Sequence, residues 1–202
     1  MFIQVIQGRV ADADELKASL QRWNQEIGPH ADGWLGSTGG VTADGTALAL
    51  ARFESEAAAR RNSERPEQHQ WWMETAKLFA GDVTFHDCRE VELMGAGGSD
   101  DAGFVQIIQG RFTDEAKARS LTARSAEPLR RVRPEILGGV VALHGDGGFT
   151  QAVYFTSEAK ARAGERIEPP ADMKAEMDEW MGLMQDVVFY DLTDPWLDSA
   201  RG

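Results

Sequence analysis

The chain carries one cysteine in 202 residues, Cys88, so no disulfide can form within it. That fits a reducing cytoplasm, and the thiol is expected to be an unreactive group on a strand. No run approaches the roughly 18 apolar residues of a membrane span. The N-terminal stretch Met1-Phe2-Ile3-Gln4-Val5-Ile6-Gln7-Gly8-Arg9 has no charged start and no continuous apolar region, so it does not read as a signal peptide. Basic side chains are few. There are 21 against 33 acidic ones, giving a formal net charge of -12. So acidic a domain lacks the positive field that phosphate backbones or anionic lipids require, which sets aside nucleic acid and membrane surfaces as partners. Metal-ligand spacing is absent too, because His30, His69, His86 and His144 stand apart with no second cysteine. No Ser-His-Asp or Cys-His arrangement can be assembled. Gly145-Asp146-Gly147-Gly148 lacks the following helix of a phosphate loop. With 42% hydrophobic residues the chain is too apolar to be disordered. These absences leave, as the expectation, a cytoplasmic globular protein with a small, largely apolar molecule as its partner.

What the chain does have is an internal repeat. Phe2-Ile3-Gln4-Val5-Ile6-Gln7-Gly8-Arg9 returns as Phe104-Val105-Gln106-Ile107-Ile108-Gln109-Gly110-Arg111, an offset of 102. From residue 2 to 60 no gap is needed, and 18 of the 59 positions are identical. Chance pairing gives about four at ordinary residue frequencies. Beyond the prolines the offset becomes 104, where Asp82-Val83-Thr84-Phe85-His86-Asp87 meets Asp186-Val187-Val188-Phe189-Tyr190-Asp191. The sequence therefore divides into a first repeat over 1–94, a glycine-rich and hence flexible linker over 95–103, and a second repeat over 104–202.

Each repeat has a readable order of elements. Residues 2–9 mix β-branched and aromatic side chains without helical period, as a strand does. Asp12 with Glu15 forms a capping box. Leu16, Leu20, Trp23 and Ile27 then make one apolar helical stripe, and Gly28-Pro29 ends it. Residues 34–42 and 46–54 flank Ala43-Asp44-Gly45, a hairpin signal. Ser55 caps a second helix, Pro66 interrupts it, and a further helical stretch carries Trp72, Met73, Ala76 and Phe79. Residues 82–91 read as a last strand. The order βαββαβ is that of a ferredoxin-like α+β unit. Both faces of its sheet are apolar, so a second layer must cover the face without helices. The expected architecture is a pair of tandem ferredoxin-like repeats, packed sheet to sheet around a central cavity as a monomeric pseudo-dimer or a homodimer of it.

The pattern Gly33-Trp34-Leu35-Gly36-Ser37-Thr38, Asp44-Gly45-Thr46 and Arg52-Phe53-Glu54-Ser55-Glu56-Ala57 resembles the antibiotic biosynthesis monooxygenase family of the dimeric α+β-barrel superfamily. The resemblance covers most of each half. It implies that the two repeats form within one chain the barrel that two chains form in the family. It also implies oxidation of aromatic substrates by molecular oxygen with no metal, flavin or other cofactor, so an enzyme is one reading. Relatives in the superfamily degrade haem, which makes a haem-binding protein another. The quinone-forming members carry Trp where Phe53 and Phe155 stand, Asn where Ala49 and Gln151 stand, and Tyr where Ala59 and Ala161 stand. These departures imply a third reading, a ligand-binding or stress-related barrel without catalysis.

The residues suggest where a ligand sits. Ala47, Ala49, Ala51 and Phe53 share one face of a strand by period two. Phe149, Gln151, Val153 and Phe155 share the matching face in the second repeat. If these faces look into the barrel, the first repeat leaves space and the second fills it and adds an amide. Gln4 and Gln106 open one set of polar candidates, with Gln7 and Gln109 on the opposite strand face. His86 and its counterpart Tyr190 are placed near the pocket rim, and Trp71 near its mouth. Met173, Met177, Trp180, Met181 and Met184 fall at helical spacing and read as core. Arg130, Arg131 and Arg133 form the one basic cluster, expected in a loop after Pro128.

Overall fold

The computed structural model describes residues 1–200, apart from the side chains of Ser125, Ala126, Glu127, Arg130 and Asp172. Its first compact unit holds Met1–Arg89 together with Asp194–Gly202, and its second holds Glu90–Thr193. The first unit contains β1 (Phe2–Arg9), α1 (Ala13–Glu26), β2 (Trp34–Val41), β3 (Thr46–Phe53), α2 (Glu56–Ser63), α3 (Pro66–Thr75) and β4 (Thr84–Cys88). The second contains β5 (Glu90–Gly95), β6 (Phe104–Phe112), α4 (Glu115–Val132), β7 (Ile136–Leu143), β8 (Gly148–Phe155), α5 (Glu158–Gly164), α6 (Ala171–Gly182) and β9 (Met184–Leu192). The last strand, β10 (Trp196–Ser199), belongs to the first unit.

Each unit is a five-stranded antiparallel sheet with its helices, in the orders β10-β2-β3-β1-β4 and β5-β7-β8-β6-β9. This is the tandem ferredoxin-like α+β fold. The edge strands depart from the repeat boundaries. The stretch 82–91, expected as one strand, is two. After β4 a single residue intervenes, and β5 then pairs Glu90 with Leu143 through Gly95 with Gly138 in the other sheet. In return, β10 pairs Trp196 with Gly39 through Ser199 with Gly36. The two repeats thus exchange their final strands. Local pattern cannot show this, because a strand's side-chain alternation is the same whichever edge it joins. Gly36 makes the junction possible. It sits in the left-handed region at φ 137, at a register shift between β2 and β3, and β10 passes close beside it. The segment 95–103, expected as a flexible linker, is held to unit 2. Ala102 is buried, and Gly103 N–H donates to Phe155 O at 3.1 Å.

The local signals are otherwise obeyed. Asp12 caps α1, its carboxylate accepting from the N–H groups of Asp14 and Glu15, a contact worth about 1 kcal/mol. Ser55 caps α2 by accepting from Ala58 N–H. Leu16 and Trp23 are buried and Ile27 caps the helix end, as the apolar stripe requires. Pro66 opens α3, where a missing N–H costs nothing. The basic cluster is not in a loop: α4 runs through Pro128 and ends at Val132. Arg131 is exposed, and the Arg130 side chain lies outside the described residues. Arg133 is structural. It pairs with the buried Glu135 and donates to Ala161 O at 3.2 Å. The methionine stripe is partly broken, because Met181 is exposed and Met184 lies in β9. Among the described residues no helix is long and apolar enough to cross a membrane, and no group of His, Cys, Asp and Glu could hold a metal.

One ion pair ties the start of α2 to the strand-exchange junction. Arg89 donates to both carboxylate oxygens of Glu56, at 2.6 and 2.8 Å. These bonds, with help from Arg60, hold the Glu56 carboxyl at about 2 against an ordinary 4.5. A depressed acid contributes its stability above pH 4.5 and loses it as the pH falls towards 2. The pair faces solvent, so its effect is small. Glu56→Gln is expected to lower the thermal midpoint slightly at pH 7, and the difference from the parent should vanish by about pH 2. Melting curves across that range check it, and a difference independent of pH would contradict the assignment.

Candidate functional site

The sheet register fixes which side chains share a face. In unit 1, Ile6 lies between Ala49 of β3 and Phe85 of β4, and Gln4 lies between Ala51 and Asp87. These two adjacent rows across three strands are flanked by Gly8 opposite Ala47 and by Phe2 opposite Phe53. Contacts show that this face lies under the unit's own helices. Phe2 and Phe53 pack on Ala58 and Ala59 of α2, while Ala47 packs with Leu16 of α1. The face carrying Ala47, Ala49, Ala51 and Phe53, which the sequence could assign to the barrel interior only conditionally, looks at helices. Period two places these residues together, but it cannot choose between two apolar faces.

The end rows of this face are buried and the middle rows are not. Phe2, Phe53 and Ala47 are all less than a tenth exposed. Ile6, Gln4, Ala49 and Ala51 remain half-buried, although they belong to two central strands beneath a helical layer, and Phe85 is 43% exposed. These less covered middle rows, Ile6 with Ala49 and Gln4 with Ala51, are the candidate cleft. One end is closed by Phe79, which sits directly over Gly8, where an added Cβ would lie 2.6 Å from its ring. The other end is closed by Phe2 and Phe53 beneath α2.

Aromatic side chains continue around it. Trp72 meets Phe85 edge-on at 5.3 Å and Phe79 at 6.2 Å. Trp71 meets Trp72 and Trp23, each at 6.2 Å, and Trp23 meets Trp34 edge-on at 5.0 Å. Hydrogen bonds orient this wall. The Trp71 indole donates to Ser19 O at 3.1 Å and the Trp23 indole to Gln68 Oε1 at 2.6 Å. At the β4 side, Gln4 Nε2 donates to Asp87 Oδ1 at 2.9 Å. The space is apolar in floor and wall with one amide–carboxylate pair at its edge, the usual composition of a small-molecule site.

Unit 2 carries the same rows with larger groups. Gln151 replaces Ala49, Val153 replaces Ala51 and Phe149 replaces Ala47, and all three are buried. Phe149 stacks on Phe112 at 4.1 Å, and Phe112 meets Trp180 of α6 edge-on. Phe155 is core with Phe104, Ile136, Val153 and Ala161. Gln106 repeats the Gln4 contact by donating to Asp191 Oδ1 at 3.0 Å, but here Arg162 also pairs with Asp191. Gln151 is 4% exposed. Its Nε2 approaches Met94 Sδ at 3.2 Å, and its Oε1 meets no donor among the described residues. An orphaned buried carbonyl costs about 1–3 kcal/mol. Gln151→Leu is therefore expected to hold or raise the thermal midpoint, and a clear drop in melting temperature would mean that the amide has a donor.

The structure thus separates the sequence-level candidates. Gln4, Ala49 and Phe53 share the helix-side face of unit 1, and Trp71 joins the aromatic chain beside it through Trp72. Gln106, Gln151 and Phe155 occupy the filled counterpart in unit 2. His86 and Tyr190 pair with Val5 and Ile107, on the face turned away from the helices, so neither lines the cleft. Cys88 is on that face too and is fully buried. Sequence reasoning missed Phe85 and Asp87 as site residues. The signal was present in their alternation with His86, but it attracts notice only once the cleft's face is known. A hollow of about 400 Å³ lies over α2, but Glu56, Arg60, Arg61 and Glu64 line it, which suits solvent better than an apolar ligand.

No family model matches the chain, and no curated protein does. Solved structures show the fold. A candidate monooxygenase from Fusobacterium nucleatum matches with a TM-score of 0.76 at 8% identity, over 100% of this chain and 95% of its own. One from Lactobacillus acidophilus matches with 0.73 at 12% identity, over 98% and 95%. An anthrone oxidase-like protein matches with 0.62 at 13% identity, over 99% and 92%. All three therefore span both repeats, and they agree with the fold that the resemblance to antibiotic biosynthesis monooxygenases implies.

Proposed function

We propose that the protein binds one flat, largely apolar aromatic molecule in the helix-side cleft of unit 1. The observation that carries this reading is that Ile6 and Ala49 stay only half-buried in the middle of a helix-covered face whose two ends are buried. A planar molecule lying there removes apolar floor from water, at about 25 cal/mol per Å², and meets Trp72 and Phe85 by ring contacts. Unit 2 offers no equal space, because Gln151, Val153 and Phe149 occupy it. Titrating the protein with a tricyclic aromatic ketone such as acridone is expected to quench tryptophan fluorescence at one molecule per chain. Two equivalents bound, or none, would refute this reading.

Oxygenation in the same cleft is the second reading, favoured by structural neighbours described as candidate monooxygenases and as anthrone oxidase-like. With an anthrone, the ring methylene would become a carbonyl. One oxygen atom of O2 enters the product and the other leaves as water with the two hydrogens, so the substrate supplies all the electrons and no cofactor is needed. Protein-dependent oxygen uptake with an anthrone, yielding the anthraquinone at one O2 per product, supports it. Binding without uptake leaves a carrier or sequestering protein.

A further inference from the structure

Asp87 is the one carboxylate in the two middle rows of the unit 1 floor. It lies opposite Gln4 and two residues along β4 from Phe85, so the two side chains leave one face from Cα atoms roughly 7 Å apart. Its counterpart in unit 2, Asp191, accepts from Gln106 and is also paired with Arg162. The residue matching Arg162 in unit 1 is Arg60, and it is turned instead to Glu56 at 3.2 Å. Arg89, the other nearby cation, is engaged with Glu56 through Nε and Nη2, and Asp87 acts on it only through its charge. Asp87 is thus exposed, positioned by the Gln4 amide and near the charge of Arg89, and it takes part in no ion pair among the described residues.

Resting on the binding reading above, we propose that the ligand of the unit 1 cleft is a flat aromatic amine carried as a cation, its N–H donors directed to Asp87. A carboxylate can only accept hydrogen bonds, so it selects a donor, and a charged donor forms the stronger bond. The faces of Trp72 and Phe85 attract a cation further. The net charge of -12 raises the local concentration of cations over anions. An aromatic carboxylate is rejected by the same groups.

The test uses the full-length protein and three tricycles of nearly equal shape: proflavine, which is a cation, neutral acridone, and acridine-9-carboxylate, an anion. Calorimetric titration in low salt is expected to give proflavine about tenfold tighter than acridone, the scale of one partly solvated charge-assisted hydrogen bond, with the carboxylate weakest. Asp87→Asn keeps the oxygen that accepts from Gln4. It should bring proflavine to the level of acridone and leave acridone unchanged. Asp101→Asn, an exposed change of equal charge in unit 2, should alter none of the three. Equal binding of proflavine and acridone to the parent protein, or an equal loss of both in Asp87→Asn, would overturn the charge assignment while the cleft stands. Binding of none of the three would remove the cleft reading and this inference together.

Discussion

Ala49→Leu is expected to weaken the binding of a flat tricyclic ligand by about thirtyfold or more while the protein stays folded. The added isopropyl group stands in the middle of the cleft floor, beside Ile6 and one row from the Phe79 end. A ligand must then move off the sheet or force the new side chain aside. Overpacking of this kind costs about 1–3 kcal/mol, where 1.4 kcal/mol is tenfold in affinity. The fold should tolerate it, because the position is half-buried rather than part of the closed core. Fluorescence titration reads the affinity and a melting curve reads the fold. His86→Ala is the matched comparison, since His86 lies on the opposite face of β4, and it should leave the affinity as it was. If Ala49→Leu binds the tricycle normally, the ligand does not lie on this floor.

The largest effect on stability is expected from Phe149→Ala in unit 2. Phe149 has no exposure at all and stacks on Phe112, with Val141, Leu143, Ile108 and Met184 in the same cluster. Removing a buried phenyl ring costs about 3–5 kcal/mol, the spread reflecting how far the site can collapse. In a chain of this size that lowers the thermal midpoint by roughly 6–20 °C. The equivalent position in unit 1 already is an alanine, Ala47, and there Leu16 and Val10 close over it. The two repeats therefore hold the same place with different partners. A loss below about 1 kcal/mol in calorimetric unfolding would contradict the packed description of unit 2, and with it the reason for one ligand per chain.

Much of the fold was legible in the chain itself. The capping residues Asp12 and Ser55, the stripe through Leu16 and Trp23, the turn at Asp44-Gly45 and the break at Pro66 are local signals, and each is used as read. The exchange of β5 and β10 was not legible, because an alternating strand does not name the edge it joins. The site was half legible. The sequence shows the contrast between Ala47, Ala49 and Ala51 and their bulky counterparts, and the structure adds that Phe149, Gln151 and Val153 are buried while Ala49 and Ala51 are half-buried. The sequence could not say that this face lies under helices, nor that His86 and Tyr190 stand on the opposite side of their strands.

The sequence by itself determined a duplicated βαββαβ unit, because 3.6- and 2-residue periods, caps and turn glycines act over a few neighbours. Only the tertiary structure decided which apolar face the helices cover, which rows they leave open, and which of two matching aspartates is neutralised. Those outcomes depend on where Phe79, Ala58 and Arg60 come to rest against residues far along the chain. Packing makes that choice, and no local pattern encodes it.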